Sequence, residues 1–279
     1  MTVEAVARKD FQDAVRSRWV LVLAALFSLL LSLAVYLVPR DASTSALFNS
    51  LVVRDLFVTL LVPLIGVVIA YNAIVGERTT GSIKLLLALP HSRSDVVFGK
   101  VLGRAAALGV PVAISFVLPL VVALVTPLSL DPGVYVGYLL FTVLLGSAFV
   151  ALAVGFSAGV RSQRIAVAGP VVVYLLSGPI WSVIQLPLQL YISGRQFPGW
   201  FPLDAAGVFR LIRLVNPIES FKILTVEFVN GFLFAAGQAG TEAAGRYALD
   251  TEIAALAMLA AWMLVPPLLG LWRFEEADL

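Results

Sequence analysis

The chain has 279 residues, of which 60% are hydrophobic and only 13% are charged, and its mean hydropathy is +0.98. A soluble domain is about 45–50% apolar and about 25% charged, so this chain has more apolar surface than an aqueous fold can bury and needs a membrane as its solvent. The net charge of +2 gives no reason to expect a nucleic-acid partner, and the lack of cysteine excludes disulfides, thiolate metal sites and cysteine nucleophiles.

The first predicted element is an amphipathic helix at residues 1–18. Arg8, Lys9 and Arg16 lie mostly opposite its apolar face, so we expect an interfacial helix along the inner leaflet. The apolar run that follows is longer than a signal-peptide core and has no clear cleavage site, so we expect this segment to be retained. The apolar residues at helical spacing are Val3, Val6, Ala7, Phe11, Ala14 and Val15.

Six segments are apolar over about 20 residues, the length that a helix needs to cross a bilayer. They predict an all-α integral membrane protein with six transmembrane helices. Gly155 and Gly159, four residues apart in the fourth span, predict close helix packing, either within the chain or between subunits. The spans are predicted at 19–38, 56–75, 101–124, 134–160, 165–192 and 253–271.

The distribution of Lys and Arg predicts the orientation of the spans. With the N-terminus in the cytoplasm, the inner segments hold twelve of these residues, whereas the short outer loops hold only Arg40 and Arg54. Cytoplasmic loops are enriched in Lys and Arg. We therefore expect a multi-pass protein of the cell membrane with both termini in the cytoplasm, which agrees with an even number of spans.

Segment 193–252, between the fifth and sixth spans, is predicted to be an outer loop with one or two amphipathic helices. Its part 217–237 is apolar, but Glu219, Lys222 and Glu227 interrupt it, and the uninterrupted stretch is too short to cross the membrane. The pattern leaves open whether this part lies on the outer surface or re-enters the membrane.

The chain lacks the residues of an ATP-binding or catalytic site. A Walker loop reads G-x-x-x-x-G-K-[ST], but here Gly99-Lys100 is followed by Val101, and Ser94 replaces the earlier glycine. The only histidine, His91, stands in a polar loop and fits a surface residue better than a metal ligand or base. The spans have almost no ionisable residues, unlike those of pumps. We expect no cofactor, no metal and no catalytic residue in the chain.

The segment 77–100, between the second and third spans, is unusually long and basic for a helix connection. Gly81 permits a sharp turn before a short amphipathic helix, which Pro90 ends. Ser92 or Ser94 can then cap a second helix that continues into the third span.

The short helix in this segment has the make-up of a docking surface. Leu85 and Leu89 would form its apolar centre, and Arg78, Lys84 and Arg93 would surround them. An apolar centre with a charged rim is typical of protein interfaces. The segment therefore predicts binding of a cytoplasmic partner.

At these residues the sequence ERTTGSIKLLLALPHSRSDVVFGK resembles the type-2 ABC exporter permeases. The layout is similar as well: an interfacial helix, six spans, a short basic turn at 161–164 and a helical outer loop containing Asn216-Pro217. That loop is most similar to the branch that contains the permease for nitrous-oxide-reductase maturation. Residues that match the family pattern include Glu77, Arg78, Gly81, Ser82, Leu86, Pro90, Ser92, Arg93, Gly99 and Lys100.

The resemblance implies a non-enzymatic permease subunit of a two-component ABC transporter, an exporter. A separate cytoplasmic ATPase would hold ATP and magnesium and would bind a coupling helix in 77–100. A second permease copy, identical or different, would complete a dimer in contact with membrane lipids. The coupling residues implied are Glu77, Arg78, Gly81, Ser82, Leu85, Leu86, Pro90, Ser92, Arg93, Gly99 and Lys100, with a second cytoplasmic contact at Arg161 and Arg164.

Two other functions fit the sequence apart from the resemblance. A passive channel is compatible with proline-kinked, charge-poor spans, and would show solute flux without an ATPase. A membrane scaffold that recruits a cytoplasmic protein is compatible with the basic segment, and would show binding without transport.

Overall fold

The computed structural model describes residues 3–15, 18–37, 57–83, 92–125, 131–195, 198, 203–229 and 242–276. All regular structure within these ranges is helical, which confirms the all-α prediction. The helices are α1 (Val3–Val15), α2 (Arg18–Leu37), α3 (Val62–Ala70), α4 (Val75–Thr80), α5 (Arg93–Ser115), α6 (Val117–Val125), α7 (Pro132–Gly159), α8 (Gln163–Ser177), α9 (Pro179–Ser193), α10 (Ala205–Val215), α11 (Pro217–Val229) and α12 (Glu242–Glu275).

Among the described residues, four helical stretches are long and apolar enough to cross a membrane. Helices α8 and α9 meet at a bend of 43° and give a fifth if the pair forms one span. Helix α2 is a further apolar helix of 20 residues over the predicted first span, but the count of six spans stays a prediction. The four stretches are Phe57–Thr80, Arg93–Val125, Pro132–Gly159 and Glu252–Glu275.

Helix α7 lies at the centre of the bundle. Every residue from 145 to 155 is buried, because α3, α5, α8, α11 and α12 pack around the helix. The sequence of α7 shows no polar face because other helices cover its central part, and its exposed residues nearer the start, such as Val136 and Leu140, are apolar as well. Helix α7 therefore holds the surrounding helices together.

The glycines of α7 allow α12 to approach at backbone distance. A Cβ on Gly155 would lie 2.9 Å from the nitrogen of Pro267 and closer still to the carbonyl of Pro266. Gly270 of α12 faces Gly155 in the same way, and Gly159 faces Gly270. The small residues predicted to mediate packing therefore serve a contact within the chain at these positions.

Helices α10 and α11 form a hairpin that enters the bundle. At its turn, the Asn216 side chain donates to the Ser177 carbonyl (2.9 Å) and accepts from the N–H of Ile218 (2.9 Å). The indole of Trp262 donates to the Val215 carbonyl (2.9 Å). Phe221, which is fully buried, packs edge-on against Tyr138 of α7. The turn thus contacts the middle of α12 and the bend between α8 and α9.

Two of the charges that interrupt the apolar segment of α11, Glu219 and Lys222, pair with each other. The carboxylate of Glu219, of which 3% is exposed, pairs with Arg213 (2.9 Å) and Lys222 (3.3 Å). Since a buried carboxylate is tolerated only when it is paired and hydrogen-bonded, these partners allow the hairpin to pack inside the bundle.

Candidate functional site

The two described ends of the basic segment have the local structure that the sequence predicts. Gly81 ends α4 with a φ of 74°, a left-handed conformation that favours glycine. Ser92 caps α5 in a reciprocal capping box with Asp95, with both hydrogen bonds at 3.0 Å, which confirms the predicted second helix. The predicted coupling residues Leu85, Leu86 and Pro90 lie outside the described residues.

Ser157 of α7 fixes the start of α4. The turn at residues 71–74 breaks the helix between α3 and α4, so the first N–H groups of α4 need partners outside it. The Ser157 hydroxyl, which is completely buried, accepts from the N–H groups of Ile74 and Val75, both at 3.0 Å. Because α4 carries Glu77 and Arg78, this contact sets the position of both charged side chains.

Replacing Ser157 with alanine should destabilise the fold by about 1–3 kcal/mol, because two buried N–H groups lose their acceptor. Ser147→Ala is the matched control, since that buried hydroxyl donates only to the Val143 carbonyl of its own helix (2.7 Å). Unfolding in mixed micelles, followed by circular dichroism, compares the two variants. If both variants lose the same free energy of unfolding, Ser157 does not hold the turn between α3 and α4 in place.

Two glycines of α5 make room for the N-terminal helix α1. A Cβ on Gly99 would lie 2.7 Å from Cβ of Val6, and one on Gly103 would lie 2.7 Å from the Ala7 carbonyl oxygen. Helix α1 therefore lies in a groove whose floor is glycine. Gly99, a member of the family motif, has a steric role in this structure.

An ionic network of Asp10, Glu77, Lys100 and Arg104, in which Asp10 and Lys100 are buried, joins the two described ends of the segment. The Lys100 ammonium, whose side chain is 4% exposed, is 2.7 Å from Glu77 Oε1 and 3.4 Å from Asp10 Oδ1. Asp10 Oδ2 is 2.6 Å from Arg104 Nε, and Arg104 also donates to the Ile69 carbonyl (3.1 Å). The network joins α1, α3, α4 and α5. Lys100 therefore holds the two ends of the segment in position although it is itself buried.

On the neighbouring side, Phe274 of α12 sits between two motif arginines. The guanidinium carbons of Arg78 and Arg93 lie 4.5 and 5.3 Å from the centre of its ring, within cation–π range. Arg93 also donates to the carbonyls of Phe274 and Glu275 at the C-terminal end of α12, where a cation is favoured. Arg78 donates to the Val160 carbonyl (3.1 Å) after α7.

The basic turn between α7 and α8 adjoins the same surface. Gln163 Nε2 donates to Thr79 Oγ1 in the last turn of α4 (3.2 Å), next to the Arg78–Val160 bond. Arg161 and Arg164 are both exposed. The structure thus brings the end of α4, the start of α5, the Arg161–Arg164 turn and the end of α12 into one face. We call it the basic face for its arginines Arg78, Arg93, Arg161, Arg164 and Arg273; it also carries the exposed Glu275 and Glu276.

The site predicted from the sequence differs from the site in the structure in which residues are buried and in which residues belong to it. Ser82 and Ser92 are exposed, whereas Gly99 and Lys100 are buried under α1. Sequence reasoning missed Asp10, Ser157 and Phe274. A signal existed for Asp10, since it falls on the apolar stripe of α1, seven residues after Val3 and four after Val6. Ser157 and Phe274 give no such signal, because only tertiary contacts reveal their partners.

Comparison with known proteins identifies the family of the chain. The model of a family described as ABC-2 family transporter protein matches residues 4–279. The chain is 30% identical over 226 residues to a probable ABC transporter permease protein NosY of Stutzerimonas stutzeri, covering 75% of this chain and 80% of that protein. A probable permease of the same name from Pseudomonas aeruginosa is also 30% identical over 226 residues, covering 76% and 81%. The chain therefore belongs to the ABC-2 transporter family, in the branch of NosY, as a membrane-spanning permease of an ABC transporter.

Proposed function

We propose that this permease is driven by a separate cytoplasmic ATPase that binds the 77–100 segment. It works as an exporter with six spans, in the cell membrane, and has both termini in the cytoplasm. Two permease copies, identical or different, form the translocation unit. ATP and magnesium stay on the ATPase, so this chain performs no chemistry and supplies the moving helices.

One observation carries the proposal: the ends of the segment are tied to the first and the last helix of the described structure. Glu77 and Lys100 connect it to Asp10 of α1, and Arg78 and Arg93 connect it to Phe274 of α12. A force applied to the segment therefore acts on α1, α4, α5 and α12 together. A scaffold that only captures a partner has no need for such connections.

Within this proposal the motif residues divide into two groups. The exposed ones, among them Ser82 and Arg161, are available to the ATPase, together with the predicted Leu85 and Leu86. Gly99 and Lys100 lie underneath and act as positioning residues. Substitutions in the two groups should therefore differ: the first weakens ATPase binding, whereas the second disturbs the fold.

Gly81 offers the sharpest test of coupling. A Cβ at this position meets no atom within 4 Å, so a substitution there changes only the backbone preference. The left-handed conformation costs an ordinary residue about 1–2 kcal/mol. We expect Gly81→Val to lower permease-dependent ATP hydrolysis about tenfold, because the turn that presents the segment becomes a minority conformation.

Gly81→Asn is the matched control, since asparagine adopts left-handed backbone far more readily than valine. Each variant is co-purified with the ABC ATPase that binds the unsubstituted chain, and ATP hydrolysis and transport are measured in liposomes. Equal activity of both variants and the unsubstituted chain would refute coupling through this turn. Solute flux from the chain without the ATPase would instead favour a passive channel.

Because the chain has no cysteine, single-cysteine variants can test the topology directly. We expect Ser82→Cys and Glu276→Cys to react with an impermeant maleimide only from the cytoplasmic side, and Arg195→Cys only from the outside. All three positions are exposed. Labelling of Ser82→Cys from the outside would contradict the proposal, since no cytoplasmic ATPase could reach the segment.

A further inference from the structure

An apolar groove of about 630 Å³ runs along α12, away from the ionic network. Its walls come from α7, α8 and α12, and Val215 of α10 also lines it. The volume falls within the range of about 300–1,000 Å³ for ligand pockets. The described lining is apolar except at the C-terminal end of α12, where it includes Arg273; representative lining residues are Leu152, Phe156, Val173, Met258, Ala261 and Trp262.

The length of the groove matches one leaflet of a bilayer. Its lining on α12 extends from Met258 to Arg273, which is about 22 Å at the rise of an α-helix. A bilayer with its headgroup regions is about 40–45 Å thick, so half of it is also about 22 Å. The apolar part would face the acyl chains, and Arg273 would stand at the depth of the headgroups.

The charge at this end suits an anionic headgroup. The stem of Arg273 packs over the backbone at Gly159, close to the exposed Arg161. The Arg273 guanidinium lies 5.6 Å from the centre of the Trp272 ring, and both side chains are exposed. Within the described part of the chain, Arg273 forms no ion pair with a carboxylate. Arginine next to tryptophan is a common pair at membrane interfaces.

From these observations we propose that the α12 groove binds one phospholipid with an anionic headgroup, from the leaflet that meets the basic face. The acyl chain lies between Phe156, Ala261 and Trp262, and the phosphate is bound by Arg273. This lipid fills the space beside the Gly155–Pro266 contact, where α7 and α12 are joined by backbone alone. The proposal concerns a lipid site only and does not depend on ATP coupling.

Quenching of Trp262 by brominated lipids tests the site. Trp19, Trp181, Trp200 and Trp272 are replaced by phenylalanine, and the protein is placed in nanodiscs with increasing fractions of brominated phosphatidylglycerol or brominated phosphatidylcholine with the same chains. We expect half-maximal quenching at an about fivefold lower fraction of phosphatidylglycerol, the preference that one arginine near the surface supplies.

Three variants test whether the preference for phosphatidylglycerol arises in the α12 groove. Arg273→Gln should abolish the preference, whereas Arg8→Gln, an exposed arginine on α1, should leave it unchanged. Ala261→Phe should fill the groove and reduce quenching by both lipids. Because Trp181 is buried and its loss can harm folding, native mass spectrometry of chains with all tryptophans gives a second readout: retained phosphatidylglycerol should fall in Arg273→Gln and in Ala261→Phe, but not in Arg8→Gln.

Two results would overturn the proposal. Identical quenching curves for the two lipids, with equal retention of phosphatidylglycerol by all variants, would mean ordinary solvation by bulk lipid. Absence of quenching by either lipid would mean that protein, such as a second copy of the chain, covers the groove.

Discussion

Replacing Lys100 with methionine should destabilise the protein by about 3 kcal/mol, the lower end for breaking a buried ion pair, because Lys100 is the buried cation between Glu77 and Asp10. Methionine has nearly the length of lysine, so it removes the charge without opening a cavity. Glu77 loses its 2.7 Å partner, and Asp10 keeps only Arg104. The Asp10 carboxylate cannot reorient toward water, since its side chain is only 8% exposed.

The matched control is Lys9→Met, the same substitution at an exposed position of α1. A surface change of this kind should stay within about 0.5 kcal/mol. Reversible unfolding in mixed micelles gives the free energy of unfolding for both variants. If Lys100→Met unfolds like Lys9→Met, the network does not stabilise the fold, and the link from the segment to α1 loses its energetic basis.

A double-substitution cycle separates the pair from the rest of the network. When Asp10→Asn is added to Lys100→Met, the second loss should be smaller than in the unsubstituted chain, because the two side chains already share one interaction. Additive losses would mean that Asp10 acts only through Arg104. The cycle therefore tests whether α1 is held by one network or by two separate pairs.

Local rules predicted much of this site. The Gly81 turn and the Ser92 cap follow from backbone preferences of a few neighbouring residues, which a sequence displays directly. Whether a residue is buried or exposed does not follow from such local rules. Lys100 looks like the other cations of the segment, and only the packing of α1 on Gly99 and Gly103 buries it.

Hydropathy located the apolar core of the helices but not their ends. The third span was predicted to begin at residue 101, and the capped helix predicted to lead into it begins at Arg93, because the Ser92 cap rather than the lipid boundary starts the helix. The predicted fifth span is divided at Gly178-Pro179, where α8 and α9 meet. Helix α12 begins at Glu242, within the predicted outer loop. A hydropathy scale measures transfer into lipid, so it does not detect polar residues that extend a helix beyond the membrane.

The contact between α7 and α12 should be the most sensitive steric point of the fold. Gly155→Ala places a methyl group against the backbone of Pro266 and Pro267, which cannot rotate away as a side chain can. Overpacking costs about 1–3 kcal/mol and occasionally more. We expect a loss at the upper end of that range, and Gly155→Leu should prevent folding, because the larger side chain would force the two helices apart.

Gly109→Ala is the matched control, since it too replaces a glycine inside a bundle helix. Its Cβ would meet only Val143, at 3.7 Å, which is an ordinary contact. Alanine favours helix over glycine by about 1 kcal/mol, so this variant should be as stable as the unsubstituted chain or slightly more stable. The folded fraction after size-exclusion chromatography and the unfolding midpoint in micelles compare the two alanine variants. If Gly155→Ala matches Gly109→Ala, helices α7 and α12 do not approach at backbone distance, and the groove beside them has another shape.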